Sequence, residues 1–418
     1  MVSRVSLNDP AGASMPLRSL IASLTAALTL LLTPSASQAD QGHDFITEAR
    51  ALYRVAACGD AALANKNAAP PANTSARDHK IITRHCREQQ RRLQRFRSRY
   101  IKRAQPFLAR QRPDALPTTV VYPFGGGDLV SALLTYPDAT EITTISLEHS
   151  GDPRRFKELT GAPLRDALAL YRDAVGGLLR NNDSASANMR KVEGGPIPGQ
   201  LSFFLQGLVA LDYEPISLRY FQLTPDGTID YLDRANIAEL ADDHARKKGK
   251  NWVDTDHSVA FSNSEIRFRR RGQPDAPVLT HRHIAFNLNN DKFRDSALEA
   301  HLEAKGKIVA ITKAASYLLW SGYFSAIRQY LLDNMVFMVS DSTGIPPRFA
   351  KRAGFEQLTF GLFTSPFLDL QMSQRDELTA EFAELWEEQP RRKLNFRYGY
   401  PDGEGNLHLL ITKPRGRR

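Results

Sequence analysis

The chain has 418 residues, of which 42% are hydrophobic, 24% charged and 9% aromatic, and its formal net charge is +9. This composition is that of a globular protein able to bury a large core in one domain or two, and it excludes a low-complexity or fibrous chain. Beyond the first forty residues no segment is apolar enough to span a membrane, which excludes a multi-spanning membrane protein.

The N-terminal segment, residues 1–39, has the features of a secretory signal peptide. Arg18 precedes the apolar run 20–32, and the small residues Ser37 and Ala39 follow it. At about 1.5 Å per residue the run is too short to cross a ~30 Å hydrocarbon layer. No cysteine follows it, so the sequence predicts cleavage near Ala39, no lipid anchor, and a periplasmic or secreted protein.

The two cysteines, Cys58 and Cys86, lie close together in the sequence. In an oxidising compartment such a pair predicts a disulfide bond, worth about 3–4 kcal/mol by loop entropy. The alternative is two free buried thiols. Nothing near them has CxxC spacing, so we predict no metal site there.

Two helices are predicted in residues 40–115. Residues 44–58 and 78–111 both repeat apolar side chains at helical spacing. A disulfide between them would make a helical hairpin that precedes the rest of the fold.

The second of these helices is strongly basic. Its basic residues are Arg84, Arg87, Arg91, Arg92, Arg95, Arg97, Arg99, Lys102 and Arg103. A functional interpretation is a patch for an anionic partner, such as lipid head groups of the envelope surface or a polyanionic glycan. The alternative is a solvated helix face. Export and the lack of interleaved aromatic residues argue against nucleic acid.

Residues 116–418 are predicted to form an α/β core. A strand at 118–124, a glycine loop, a helix at 129–136 and a strand at 141–147 make a βαβ unit. Further predicted elements are helices at 163–180, 199–212, 315–333 and 376–388, strands at 264–270, 281–288, 307–312, 335–339 and 356–363, and hairpins at 216–232 and 396–412. Alternating strands and helices predict an α/β fold with a Rossmann-like core and a mixed sheet.

The strongest candidate site is the segment YPFGGGD, from Tyr122 to Asp128. Gly125, Gly126 and Gly127 stand between a strand and a helix, where backbone N–H groups can approach a ligand. Glu148 ends the next strand, at the position where nucleotide-binding folds hold ribose hydroxyls. Tyr122 would supply a stacking face. Alternatively, the glycines make a tight turn and Asp128 caps the helix.

This βαβ segment resembles the first half of class I S-adenosylmethionine-dependent methyltransferases. The resemblance implies that Gly125 and Gly127 match the loop glycines and that Glu148 matches the ribose-binding acid. Tyr122, Pro123 and Phe124 replace the acidic residue that usually precedes the loop. This difference favours a methyltransferase-like scaffold adapted to another ligand over a working methyltransferase.

A wider resemblance covers nearly all of the chain after residue 39. The order of the segments YPFGGGD, TYPDA, LEHSGD, KAASYLL, SDSTGIPPRF and RYGYPD is similar to that of a family of exported bacterial proteins of unassigned function, often lipoproteins. The resemblance implies the same fold and compartment and brings no activity with it.

A second candidate site follows the apolar strand at 335–339. Ser340, Asp341, Ser342 and Arg348 combine hydroxyls, an acid and a guanidinium that could bind phosphate or carboxylate. The alternative is a turn that reverses the chain. No Gly-x-Ser-x-Gly segment is present, and no base for Ser340 is identifiable.

Three lesser features complete the candidate residues. Lys313 follows the strand at 307–312 and could face the same edge of the sheet, although a helix start is the alternative. His149, next to Glu148, could carry a proton or be an ordinary loop residue. His281 and His283 share one strand face, but no third ligand is spaced to predict zinc.

Three functions remain open from the sequence. The first is binding of a small polar or anionic ligand at the glycine loop. The second is an envelope-acting transferase or hydrolase that uses Asp128 or Asp341 for acid–base chemistry. The third is an interaction protein that uses the basic helix, residues 84–103. The sequence names no cofactor.

Overall fold

The computed structural model describes residues 42–65, 74–181, 195–247, 259–366, 372–399 and 407–416. The predicted signal peptide at 1–39 lies outside the described residues. Residues 41–418 form one compact unit. Among the helices of the described part of the chain, none is long and apolar enough to cross a lipid bilayer.

A mixed sheet lies at the centre of the fold. The described residues form ten strands, β1 (Thr119–Pro123), β2 (Glu141–Ser146), β3 (Tyr213–Leu223), β4 (Ile229–Tyr231), β5 (Asn263–Arg270), β6 (Leu279–Ala285), β7 (Ile308–Thr312), β8 (Met335–Ser340), β9 (Phe355–Gly361) and β10 (His408–Pro414). Their order across the sheet is β4-β3-β5-β6-β2-β1-β7-β8-β10-β9. The α/β class and the mixed sheet are therefore confirmed.

The middle of the sheet, β6-β2-β1-β7-β8, is parallel. All five residues of β7 are buried, as parallel strands covered on both faces require. Alternate residues enter different cores: Val120 and Tyr122 pack on one face of the sheet, and Val121 packs on the other.

The outer strands are antiparallel to their neighbours. β5, β3 and β4 extend the sheet beyond β6. At the opposite side β10 pairs with both β8 and β9. The hairpin predicted at 396–412 is therefore wrong for the described residues of that range. They contain one strand, β10, and it pairs with β8 and β9 from earlier in the chain.

Helices cover both faces of the sheet. The described helices are α1 (Ile46–Ala51), α2 (Ala76–Phe96), α3 (Lys102–Gln111), α4 (Leu129–Thr135), α5 (Gly161–Ala174), α6 (Gly176–Asn181), α7 (Gly199–Ala210), α8 (Arg234–Lys247), α9 (Asn290–Phe293), α10 (Ala297–Glu303), α11 (Ser325–Asn334), α12 (Pro347–Arg352) and α13 (Met372–Glu387). A π-helical turn at Arg97–Ile101 joins α2 to α3. Apolar residues of α2 and α4 pack on one face, and those of α10 and α11 on the other.

A disulfide bond joins Cys58 to Cys86, with 5.3 Å between their Cα atoms. Both residues are fully buried. Cys86 lies on α2, and Cys58 follows the π-helical turn Leu52–Ala56 that continues α1. The predicted disulfide between the first two helical segments is confirmed, and it joins them within the core on one face of the sheet.

Candidate functional site

The topology of the sheet places a switch point between β1 and β7. The two strands are neighbours, but β1 leads into α4 on one face and β7 leads towards α11 on the other. In open α/β sheets ligands bind beyond the carboxyl ends of the strands at such a switch point. The candidate residues that follow β1, β2, β7 and β8 all belong to this edge.

A buried ion pair spans the switch point. Lys313 Nζ lies 2.5 Å from Asp128 Oδ2, and both side chains are less than 5% exposed. Lys313 also donates to Ser131 Oγ at 3.0 Å, and Tyr122 Oη donates to Asp128 Oδ2 at 3.0 Å. The two candidates Asp128 and Lys313 therefore meet. Breaking such a pair from one side leaves an uncompensated buried charge, so its members are tightly coupled.

Asp341 joins the loops that follow β7 and β8. Its carboxylate accepts hydrogen bonds from the backbone N–H groups of Ala314 and Thr343, both at 2.9 Å. Ala314, Ser316 and Tyr317 all have left-handed φ values, of 54°, 52° and 57°. Left-handed non-glycine residues cost free energy and cluster at functional sites.

The helix expected at 315–333 begins only at Ser325, and this difference has a physical cause. The three left-handed residues cannot continue a helix. The loop they form is held instead by Thr343 Oγ1, which accepts from the N–H of Ala315 at 2.9 Å.

Tyr398 closes the site from the C-terminal part of the chain. It is 1% exposed, and its hydroxyl has no hydrogen-bond partner among the described residues. Burial raises the pKa of Tyr398, and nearby Tyr100, Asp341 and Asp128 raise it further. Gly399 has a φ of 73°, and any side chain there would overlap the Asp341 carboxylate. The segment RYGYPD was the only sequence signal for this contact.

The glycine loop is packed against its surroundings. The N–H of Gly125 donates to Ile145 O at 3.0 Å, and a Cβ on Gly127 would lie 2.6 Å from Phe203 Cβ. Asp128 caps α4 through Ser131 N at 3.1 Å. Tyr122 is 1% exposed with its hydroxyl on Asp128, so its ring is not available for stacking on a ligand. The alternative interpretation, in which the glycines make a tight turn, thus explains Gly125 and Gly127.

Glu148 follows β2, and a chain of hydrogen bonds fixes its backbone. His283 Nε2 donates to Glu148 O at 2.7 Å, and its Nδ1 lies 3.2 Å from Thr144 Oγ1. His281 Nε2 lies 2.9 Å from the same hydroxyl. Burial lowers the pKa of both histidines, and with neutral rings His283 Nδ1 accepts from Thr144 Oγ1, which accepts from His281 Nε2. The position of His281 and His283 on one face of β6 allows both side chains to take part in these hydrogen bonds.

Buried neutral histidines make the stability depend on pH. Burial lowers the pKa of His283 to about 4 from 6.5, and it does the same for His85 and His301. In the unfolded chain each histidine takes up a proton as the pH falls through about 6.5. The stability they contribute is present above pH 6.5 and is lost as the pH falls towards 4.

Between about pH 7.5 and pH 5 the free energy of unfolding should fall by roughly 2 kcal/mol for each of these histidines. Urea unfolding at the two pH values measures this fall. In the His283→Gln variant the fall should be smaller by about that amount. Equal stability at the two pH values would contradict the neutral assignment.

The open part of the edge lies beside β2. Leu147 is 67% exposed, and Glu148 and His149 are half-buried. Gln200, fully buried at the start of α7, donates to Glu148 Oε2 at 3.4 Å and to Ser146 Oγ at 3.0 Å. Its Oε1 atom has no hydrogen-bond partner among the described residues. Gln200 gave no signal in the sequence.

The remaining candidate residues after β8 lie in different surroundings. Ser342 Oγ lies 2.9 Å from Tyr317 Oη and 2.8 Å from His408 Nε2, in a buried cluster that sequence reasoning missed. Ser340 is fully buried below Asp341. Arg348 forms ion pairs with Glu377 and Glu381 of α13. These ion pairs hold the Arg348 guanidinium against α13. The structure therefore does not bring Arg348 together with Asp341.

One group in the described part of the chain has metal-binding residue types. The side chains of Cys58, His85 and Cys86 lie within 4.8 Å of one another. Both sulfurs are bonded to each other, so neither is a thiolate available to a metal.

Comparison of the chain with known protein families, with curated proteins and with solved structures finds no significant match. The two resemblances noted in the sequence stay predictions.

Proposed function

We propose that this protein acts outside the reducing cytoplasm and binds a small polar ligand at the carboxyl edge of its central strands. The buried Cys58–Cys86 disulfide supports the compartment, because disulfides persist in oxidising surroundings. Release from a signal peptide near Ala39 and the motif order of an exported bacterial family are consistent with it.

The strand order supports a methyltransferase-like core. In the parallel run β6-β2-β1-β7-β8 the two strands of the βαβ unit, β1 and β2, are parallel neighbours, as the resemblance of that unit implies. In that scaffold the ligand lies over the ends of β1 and β2. The acid-to-aromatic change before the glycine loop still favours a ligand other than S-adenosylmethionine.

The observation that carries the proposal is the buried cluster of Asp128, Lys313 and Asp341 at the switch point. The residues Asp128, Lys313 and Asp341 are each at most 6% exposed, and burying an ion pair together with a further carboxyl group is costly unless the surrounding structure requires it. Such clusters at a switch point, together with left-handed loop residues, are typical of functional sites.

The charges at this edge favour a neutral, hydroxyl-bearing ligand over an anion. Asp128 pairs with the buried cation Lys313, Asp341 accepts from backbone N–H groups, and Glu148 adds a third carboxylate beside the exposed Leu147. Carboxylates accept hydrogen bonds from hydroxyl groups and repel anions. A nucleoside or a sugar fits this arrangement, with Glu148 holding its hydroxyls.

A thermal-shift panel of nucleosides, S-adenosyl compounds, sugars and sugar phosphates tests the proposal. A ligand present at 100 times its dissociation constant should stabilise the protein by about 2.7 kcal/mol. In Glu148→Gln the affinity should be weaker by roughly tenfold, since a hydrogen bond to a charged group is lost.

Glu303→Gln is the matched control, because Glu303 is exposed on α10. It should retain wild-type affinity. A ligand that binds wild type and Glu148→Gln equally would contradict the assignment of Glu148. A panel without any shift would contradict the proposal as a whole.

The second candidate function is an enzyme acting on an envelope component. The Tyr398 hydroxyl lies beside Asp341 and Asp128 and has no hydrogen-bond partner within the described part of the chain, which favours an enzyme, because acid–base chemistry needs such groups in close proximity. An enzyme loses turnover in Asp128→Asn or Asp341→Asn while the fold survives. A binding protein shows only weaker affinity in these variants and forms no product.

A further inference from the structure

A cavity lies away from the sheet edge, between α2, α5 and α6. Its volume is about 450 Å³, which is within the range of small-ligand sites. The residues that line it are Glu88, Arg92, Arg95, Ala169, Arg172, Asp173, Gly176, Leu179 and Arg180. Four arginines from three helices thus face two carboxylates.

The carboxylate of Glu88 is shared between two of these arginines. Arg92 Nη2 donates to Glu88 Oε1 at 2.8 Å, and Arg172 Nε lies 3.5 Å from Glu88 Oε2. Within the described residues neither Arg95 nor Arg180 has a carboxylate partner. The cavity therefore holds more positive charge than its own side chains neutralise.

The arginines are held in place by contacts that leave donors free. Arg92 Nη1 donates to Arg172 O at 2.9 Å, and Arg180 Nε donates to Gly176 O at 3.1 Å. The side chains of Arg92 and Arg172 are only 28% and 23% exposed. An arginine carries five N–H donors, so each of these guanidinium groups keeps donors for a ligand.

The like charges in the cavity oppose one another. Partial burial lowers the pKa of Arg172, and Arg92 and Arg84 lower it further, against the effect of Glu88. Arginine stays protonated under all ordinary conditions. Loss of a proton therefore does not relieve the repulsion, whereas a bound anion would.

Two guanidinium groups converge on one point of the cavity wall. A Cβ atom on Gly176 would lie 3.7 Å from Arg180 Nη2 and 3.8 Å from Arg92 Nη1. These arginines come from different helices, α2 and α6, and meet above a residue without a side chain. Arginines that only solvate a helix face point away from one another, whereas these point into a shared space.

We propose that this cavity binds a phosphate group carried by a phosphomonoester. Guanidinium groups match phosphate oxygens with paired hydrogen bonds, and a partly buried cavity strengthens such contacts. The phosphate belongs either to a small soluble compound or to the head group of an anionic lipid. This site is separate from the carboxyl edge of the sheet, and each can fail without the other.

Calorimetric titration of the purified protein with inorganic phosphate and glycerol phosphate tests the proposal. In the double variant Arg95→Gln/Arg180→Gln both affinities should be at least ~10-fold weaker. Gly176→Val keeps every charge but fills the wall between the two arginines, and it should weaken binding as well.

The matched control is Arg99→Gln/Arg110→Gln, which removes two exposed arginines of the same helical run outside the cavity. Its affinity for phosphate should equal that of wild type. Equal weakening in both double variants would show a diffuse charge effect and overturn the proposal. Absence of glycerol phosphate binding at millimolar concentration would overturn it too, even if inorganic phosphate bound.

Vesicle sedimentation separates the two sources of the phosphate. Binding to phosphatidylcholine vesicles that contain phosphatidic acid, lost in Arg95→Gln/Arg180→Gln and competed by glycerol phosphate, identifies a lipid head group. Glycerol phosphate binding without vesicle binding identifies a soluble phosphomonoester. Vesicle binding that survives in the double variant contradicts the assignment to this cavity.

Discussion

Replacement of Lys313 by methionine should lower the free energy of unfolding by about 3–5 kcal/mol. The change removes the ammonium group 2.5 Å from Asp128 Oδ2 and leaves that carboxylate buried without its cation. Methionine keeps much of the volume of the lysine stem, so the loss reports the charge and not a cavity. Urea unfolding at neutral pH measures it.

The double variant Asp128→Asn/Lys313→Met isolates the pair. Asparagine can still cap α4, as Asp128 does through Ser131 N, so the helix start is preserved. With no buried charge left uncompensated, the double variant should be more stable than Lys313→Met alone. A double variant as unstable as the sum of its single changes would show that the two residues do not form a coupled pair.

Removal of the disulfide should have the next largest effect. The variant Cys58→Ala/Cys86→Ala should lose about 3–4 kcal/mol, because the bond closes a loop with a sequence separation of 28 residues. Urea unfolding and the melting temperature both measure the loss. The wild-type protein should show the same loss on reduction, whereas the variant should be insensitive to the reductant.

A variant that matched wild type would contradict the structural role of this bond. The carboxyl-edge site would not be affected, since Cys58 and Cys86 lie among α1 and α2 and not beside Asp128.

The βαβ unit could be predicted from the sequence because its signals are local. The β-branched run before Gly125 and the apolar run before Glu148 gave strands close to β1 and β2, and Asp128 was identified as a possible cap. The position of Glu148 at the end of β2 followed from the same pattern.

The contacts that build the site could not be predicted, because they join residues far apart in the chain. Nothing local indicates that Lys313 reaches Asp128, that Tyr398 closes on Asp341, or that Gln200 lies beside Glu148. The pairing of β10 with β8 and β9 is equally non-local. Periodicity reports which face of an element is buried and not which element covers it.

The left-handed loop after β7 was missed for another reason. Ala315 and Leu318 are common in helices, so propensity favoured a helix there. The N–H groups of Ala314 and Ala315 donate instead to the side chains of Asp341 and Thr343, and these hydrogen bonds override that preference. Such disagreement between local preference and tertiary structure is itself typical of functional or strained sites.

Amide hydrogen exchange with and without the ligand identified in the panel tests the central claim most directly. We predict that the ligand slows exchange in the loops after β1, β2, β7 and β8, around Gly126, Glu148, Ala314 and Thr343. Slower exchange only in α2, α5 and α6, or none at these loops, would contradict a binding site at the carboxyl edge.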